Sequence, residues 1–258
     1  MTVKSKVRLS ERRRRKSYVS FALIGALVLC TIGGVAYATR LPAVTVSEVS
    51  VSGVLRGDEA LIKEAVDKEL DGTYALLVPK RLAYVLPRGS LNATLIKAFP
   101  EVAGVAVERT SNTAATVHIT ERTAAALYCS TTCYVMDAYG YIFDKAENEG
   151  GLRTYHGELE SPLGQTYLDG GLHDFAGLVD LLESGTGRTI DEVTIDSVDD
   201  VYLHFADGGE VRFAHKADQD VLVRDTTALF DSPAFQAGRE LNYVDLRFPG
   251  KAVAKFRD

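Results

Sequence analysis

The chain begins with a polar, basic stretch and passes at once into 21 uncharged residues, YVSFALIGALVLCTIGGVAYA (18–38). At 1.5 Å per residue such a helix spans roughly 30 Å, the thickness of a bilayer's hydrocarbon. Beyond it the pattern becomes that of a folded protein. VTVSEVSVSG (44–53) sets Val44, Val46, Val49 and Val51 against polar neighbours, which predicts a strand ending at Gly53. Asp58 then predicts a helix cap. Leu61, Ile62, Ala65, Val66 and Leu70 share one face, and Asp71-Gly72 stops the helix. A second helix is expected from Ser90, with Leu91, Leu95 and Ile96, to Pro100. Two strands follow, near 102–109 with Val105 and Val107 inward and near 114–121 with Ala115, Val117 and Ile119 inward. Thr110 to Thr113 turns between them. The order is β-α-α-β-β, with the helices covering one face of a small sheet.

From residue 123 the strand signal dominates. AALYCSTTCYVMDAYGYIFD (125–144) reads as a hairpin, a turn and another strand. A helix over 172–183 places Leu172, Phe175, Ala176, Val179 and Leu182 on one face. VTIDSVDDVYLHFADGGEVRFAH reads as three strands, the last two joined through Asp207-Gly208-Gly209, and a further helix covers 217–230. LNYVDLRF (241–248), a Pro249-Gly250 turn and KAVAKF (251–256) close the chain as two strands. The fold class is therefore α+β: a transmembrane helix, a small β-α-α-β-β domain, and a mostly antiparallel sheet domain with flanking helices. The expected divisions are 1–17, 18–38, 44–122 and 123–258.

Charge adds direction. Residues 1–17 hold eight Lys/Arg against one acid, a local charge of +7, while 41–258 carry a local charge of −14. Lys and Arg resist translocation, so the RRRRK run (12–16) should keep the N-terminus cytoplasmic and leave residues 41–258 outside. The rival reading is a leader cleaved after Ala36-Tyr37-Ala38, which has the A-x-A form. The apolar core of about 18 residues exceeds the 7–15 typical of a signal peptide and favours a retained anchor. The acidic bulk argues against nucleic acid, whose phosphates need a basic face.

Cysteine and histidine usage narrows the chemistry. Cys129 and Cys133 flank three residues of a hairpin loop, where flanking positions face each other about 4.5–5.5 Å apart at Cα, a separation a disulfide accepts. An extracytoplasmic compartment permits the oxidation, so a Cys129–Cys133 disulfide is expected. Cys30 lies within the apolar run. His118, between Val117 and Ile119, falls on the outer face of its strand, and His204 and His215 fall at strand or strand-end positions. The ESGTGRT segment around Gly185 and Gly187 lacks the spacing of a phosphate loop and reads as a helix stop. No HExxH, G-x-S-x-G or Cys/His set appears, so no catalytic residue, metal site or cofactor is expected.

Several of these segments carry a resemblance. The β-α-α-β-β order, the opening VSVSG, and PEVAGVAVERT with ATVHITERT resemble a POTRA domain, and more narrowly that of the bacterial FtsQ cell-division family, called DivIB in other bacteria. Glu121-Arg122 match the end of that family's last POTRA strand, although Thr123 and Ala124 stand where a proline is common. Tyr134, Asp137, Gly140 and Phe143 match the family's Tyr-x-x-Asp-x-x-Gly-x-x-Phe, and Tyr243-Val244-Asp245-Leu246-Arg247 matches its Tyr-x-Asp-Leu-Arg strand. The segment GLRTYHGEL lacks the proline of the family's next motif.

The resemblance implies a non-enzymatic, single-pass protein of the cytoplasmic membrane at the division septum. Its extracytoplasmic part would recruit FtsB- and FtsL-type partners for septal wall synthesis, and its POTRA domain would meet other division proteins. Partner binding carries over to Tyr243 through Phe248 and to Lys251, Ala252, Val253, Ala254, Lys255 and Phe256. Main-chain pairing along the last strand would set affinity, and Phe248, Val253 and Phe256 specificity. The alternatives are a membrane-anchored extracytoplasmic hydrolase with an unrecognised acid pair, and a POTRA chaperone module. No barrel-forming segments follow to support the last.

Overall fold

The computed structural model describes residues 9–54, 58–147, 150–236, 238–248 and 250–257. The chain divides into two compact units, residues 1–120 and 121–258.

The first unit opens with helix α1 (Leu9–Ala38). Its segment Ser17–Ala38 has mean hydropathy 2.3 and none of it is buried, so it is long and apolar enough to cross a membrane. A short 3-10 turn at Pro42–Val44 takes in the first residue of the strand expected over 44–53, and of residues 45–47 only Thr45 makes a bridge, to Leu82. The proline fixes the backbone there, and β1 is confined to Glu48–Ser52. Gly53 ends β1 with φ +88°, and a Cβ there would collide with the Ile119 carbonyl.

Helix α2 (Glu59–Leu70) starts where Asp58 accepts hydrogen bonds from the Ala60 and Leu61 amides, at 2.9 and 3.3 Å. A two-residue hairpin, β2 (Thr73–Tyr74) and β3 (Val78–Pro79), then intervenes before α3 (Arg88–Ala98). The sequence pattern does not predict this hairpin. Helix α3 begins two residues before Ser90, directly after Pro87, whose ring suits a helix start. Strands β4 (Val102–Arg109) and β5 (Ala114–Glu121) complete a three-stranded sheet in the order β1-β5-β4, with β1 parallel to β5. One face packs Val49, Ala115, Val117 and Ile119 beneath Ile62, Val66, Leu91 and Leu95. The other face is polar, with Ser50 and Thr116 hydroxyls 2.9 Å apart.

The second unit is built on nine strands in the order β14-β13-β12-β11-β10-β9-β6-β7-β8. Strands β6 (Ala126–Cys129), β7 (Cys133–Met136) and β8 (Ile142–Lys145) form an antiparallel meander. Strand β9 (Thr154–His156) lies parallel to β6, and α4 (Leu172–Thr186) carries the chain over to β10 (Ile190–Ile195), parallel to β9. Strands β11 (Asp200–Phe205) and β12 (Glu210–Ala214) continue antiparallel. Helix α5 (Gln219–Phe230) and the short α6 (Pro233–Gln236) then lead to β13 (Leu241–Asp245), which is parallel to β12. Strand β14 (Val253–Phe256) pairs antiparallel on the outer side of β13. Parallel neighbours cannot be joined by a tight turn, so the β9–β10 and β12–β13 crossovers are where the helices must be. Helices α4 and α5 pack on one another. Between them and the sheet lie Leu178, Val179, Leu182, Val193, Val201, Leu203, Val211, Phe213 and Leu222.

Gly185 lies inside α4, not at its end: a Cβ there would strike the Thr227 side chain on α5. The helix stop is Gly187, in the left-handed conformation at φ +67°. The turn after β7 is held by Asp137. Its carboxylate accepts the Tyr139 and Tyr141 amides at 2.9 and 3.0 Å and pairs with Arg122 at 2.5 Å. Gly140 follows with φ +87°, and a Cβ there would lie 2.6 Å from the Tyr167 carbonyl oxygen.

Candidate partner-docking site

Strand β14 is the last of the sheet and has one neighbour among the described residues, so among them one side of its backbone is unpaired. Along it Leu241 faces Phe256, Tyr243 faces Lys255, Val244 faces Ala254 and Asp245 faces Val253. Side chains alternate between the two faces of a strand. Val253 is 49% exposed, and Ala254 and Lys255 are also exposed. Phe256 is half-buried: its ring meets Phe235 of α6 at 5.2 Å, and the Arg239 guanidinium lies 3.9 Å from its centroid. Most of that ring therefore serves its own domain. The Arg257 amide donates to the Glu240 carbonyl at 2.8 Å and fastens the end of the strand.

The sequence places β13 over the whole of YVDLRF, but the strand ends at Asp245. The cause is a charged clamp. The Arg247 guanidinium donates to both Asp245 carboxylate oxygens, at 3.0 and 2.7 Å, and to Asp200 of β11 at 2.7 Å. The Arg247 amide also turns back to Asp245, at 3.1 Å. These bonds, with Arg247's own charge, hold the Asp245 carboxyl below the usual carboxylate range against the opposing effect of burial. Tyr243 is half-buried beneath the Arg212 guanidinium, 4.2 Å from its ring centroid. Val244 is fully buried and Leu246 packs on the same core.

Beyond the clamp, Phe248 is 57% exposed. Pro249 lies outside the described residues. The Lys251 amide donates to the Phe248 carbonyl at 3.1 Å, so a tight turn sends the chain back into β14. Lys251 and Ala252 are exposed and precede the strand. Between this turn and α5 runs an open groove of about 820 Å³, walled by Val221, Ala228 and Leu229 on one side and Leu246, Phe248 and Ala252 on the other. The apolar residues of α5 divide between core and groove. Leu222 and Phe230 enter the core, while Val221 stays 41% exposed on the groove. This groove is the element that the sequence does not reveal, because nothing local brings α5 beside the β13–β14 connection.

Other clusters are less suited to chemistry. His118 has partners that its strand alternation hides: the Ser52 hydroxyl is 2.8 Å from Nδ1 and the Glu108 carboxylate 3.4 Å from Nε2. This hydroxyl–imidazole–carboxylate row lies on the exposed polar face of the small sheet. His204 stands 3.1 Å from Glu210, and the His215 ring packs on Phe175 at 5.5 Å. A polar cleft of about 460 Å³ contains Asp207 and Glu240, but Arg188 binds Asp207 at 2.6 Å and Arg257 stands 3.9 Å from Glu240. The Arg188 hydrogen bond holds Asp207 in its charged form, which opposes a role as general acid. Among the described residues, no three His, Cys, Asp or Glu side chains stand together as metal ligands.

Cys129, the last residue of β6, and Cys133, the first of β7, are disulfide-bonded, as their spacing predicts. Their Cα atoms are 4.1 Å apart, closer than the expected range, because the three-residue loop pulls the facing positions together. Comparison with protein-family models and with curated proteins finds no match to this chain.

Proposed function

We propose that this protein is a non-enzymatic, single-pass membrane scaffold of the bacterial division complex, of the FtsQ/DivIB type. Its docking element is the free edge of β14 together with the groove beside α5. The observation that carries this reading is the juxtaposition itself. A strand with one unpaired side and exposed Val253, Ala254 and Lys255 adjoins an apolar groove presenting Phe248 and Val221. A partner segment can extend the sheet by main-chain pairing while an apolar side chain or helix face fills the groove. FtsB- and FtsL-type partners, with coiled-coil stems beside the membrane, fit that mode. The order β1, α2, α3, β4, β5 in the first unit supports a POTRA-type domain there, offering a surface to other division proteins. The single apolar helix and the charge asymmetry support residence in the cytoplasmic membrane with the tail inside, and the partners set its place at the septum.

A hydrolase draws less support. The Ser52–His118–Glu108 row is solvent-exposed, with the Glu108 side chain 75% exposed, and in the polar cleft Arg188 binds Asp207.

The test is capture of a coiled-coil partner by the full-length chain in detergent. Truncation after Phe248 is expected to abolish it. Because truncation also removes the Phe235–Phe256 contact, Val253→Glu serves as the second variant. Because Val253 stands opposite Asp245, the added carboxylate also costs stability, so Val253→Lys, which puts no like charge there, is read beside it and is expected to weaken capture at least tenfold with the thermal midpoint unchanged. Full-strength capture by all three variants would sink the docking assignment.

A further inference from the structure

The β2–β3 hairpin exposes an apolar tip that the core does not use. Leu76 is 86% exposed, Leu77 44% and Tyr74 36%. The backbone holds these side chains outward: Ala75 and Leu76 take φ of +46° and +65°, a conformation side-chain-bearing residues rarely adopt. The rungs Thr73–Pro79 and Tyr74–Val78, and a hydrogen bond from the Leu77 amide to the Tyr74 carbonyl at 3.0 Å, keep the tip compact.

The position of the hairpin identifies what meets it. Leu77 and Val78 line an apolar notch of about 300 Å³ against Thr31, Ile32, Val35 and Ala36 of α1. These α1 residues lie inside the membrane-spanning segment, from two to seven residues before its end at Ala38. At 1.5 Å per residue that is roughly 3–10 Å below the end of the span. Ile32 and Val35 are themselves 46% and 59% exposed, as lipid-facing residues are. A segment beside them at that depth is bathed in acyl chains, not water. The flanks fit the same placement. Tyr74 flanks the loop on the rung next to it, opposite Val78, and Tyr37 stands at the helix end; amphipathic rings favour the headgroup level. The charges that follow are paired: Lys80 with Glu69 at 3.2 Å, and Arg81 with Asp67 at 2.8 Å.

We propose that the Tyr74–Leu77 tip is a membrane-insertion element. Its leucines seat among the acyl chains of the leaflet on the globular side, and an acyl chain fills the notch against α1. This rests on α1 being retained in the bilayer but not on any division partner. Its consequence is a second attachment to the membrane, which fixes the tilt of the first unit above the lipid.

The chain contains no tryptophan, so a single introduced indole reports without background. Full-length Leu76→Trp and, separately, Tyr74→Trp are reconstituted in vesicles of phosphatidylcholine and phosphatidylglycerol at three to one, and intact N-termini are verified by mass. Brominated acyl chains serve as quenchers, and Val198→Trp, at a site 72% exposed in the second unit, is the control. The expected result is blue-shifted emission from both hairpin variants, with quenching several-fold above the control and strongest for bromines near the headgroup. Emission at the control's wavelength, with quenching no greater than the control's, would overturn the proposal and leave the tip as a surface for protein contact.

Discussion

Asp245 is buried to 7% exposure and stands where β13 gives way to the turn, so its charge matters to the docking edge. The hydrogen bond from Arg247 is the largest cause of its lowered pKa, ahead of the burial that opposes it. A carboxyl depressed in the folded state contributes stability that is present above its unfolded value, about 3.9, and lost as pH falls through the lower folded value. The clamp is therefore expected to hold at neutral pH and to release below about pH 4. Protection factors of the Val253–Phe256 amides, taken against the intrinsic exchange rate at each pH, should fall in that window. Asp245→Asn should exchange faster already at pH 7 and show a weaker pH dependence there. Unchanged exchange in the variant at both pH values would show that β14 does not depend on the clamp. Residue roles of this kind were unevenly legible. Asp137 and Gly140 could be read as a turn from their spacing, but the buried Arg122 pairing and the Tyr167 carbonyl that excludes a Cβ at Gly140 are long-range facts. Gly185 misled for the same reason: a glycine near a helix end looks like a stop until a second helix is seen against it.

At the scale of elements, what the sequence states clearly is what repeats. Alternation over five residues or more predicted β4, β5, β11 and β12, and one-sided apolar stripes predicted α2 and α4. Elements too short to show a period escaped: β2, β3, the three-residue β9 and the four-residue α6. The β2–β3 hairpin hid doubly, since Ala75 and Leu76 adopt positive φ where a turn signal would be glycine or asparagine. KAVAKF could be read as a strand, whereas its place at the edge of the sheet and the groove beside it both depend on the parallel β12–β13 crossover that swings α5 alongside. The disulfide belongs to this scale too, because it pins one hairpin. Closing so short a loop contributes about 2 kcal/mol. Cys129→Ser with Cys133→Ser is expected to destabilise the second unit by that amount in denaturant titration. β6 stands six strand spacings from β14, roughly 30 Å, so partner capture should be unchanged. Loss of capture in the double variant would mean that the two ends of the sheet are coupled.

For the whole molecule, the scaffold reading requires one arrangement across the bilayer: residues 1–17 inside and residues 41–258 outside. Two independent features lead there. The tail's +7 supports that direction of insertion, since positive residues resist translocation while acids contribute little. The Cys129–Cys133 bond is of a kind that persists in oxidising compartments and is rare in the cytosol. Neither feature depends on the family resemblance, so topology can be tested before any partner is known. In a Cys30→Ser background, Ser5→Cys should react with a membrane-impermeant maleimide only after the cells are opened. Ser111→Cys, in the exposed turn between β4 and β5, should react in intact spheroplasts. Neutralising Arg12 to Lys16 should increase labelling at position 5 in unopened cells, because the barrier to translocating the tail is then removed. A cleaved leader gives a different pattern, with the position-111 label on a soluble product lacking residues 1–38. Labelling at position 5 without opening the wild-type tail would place residues 41–258 in the cytoplasm, where the edge of β14 could not meet partners outside the membrane and the proposed scaffold could not assemble.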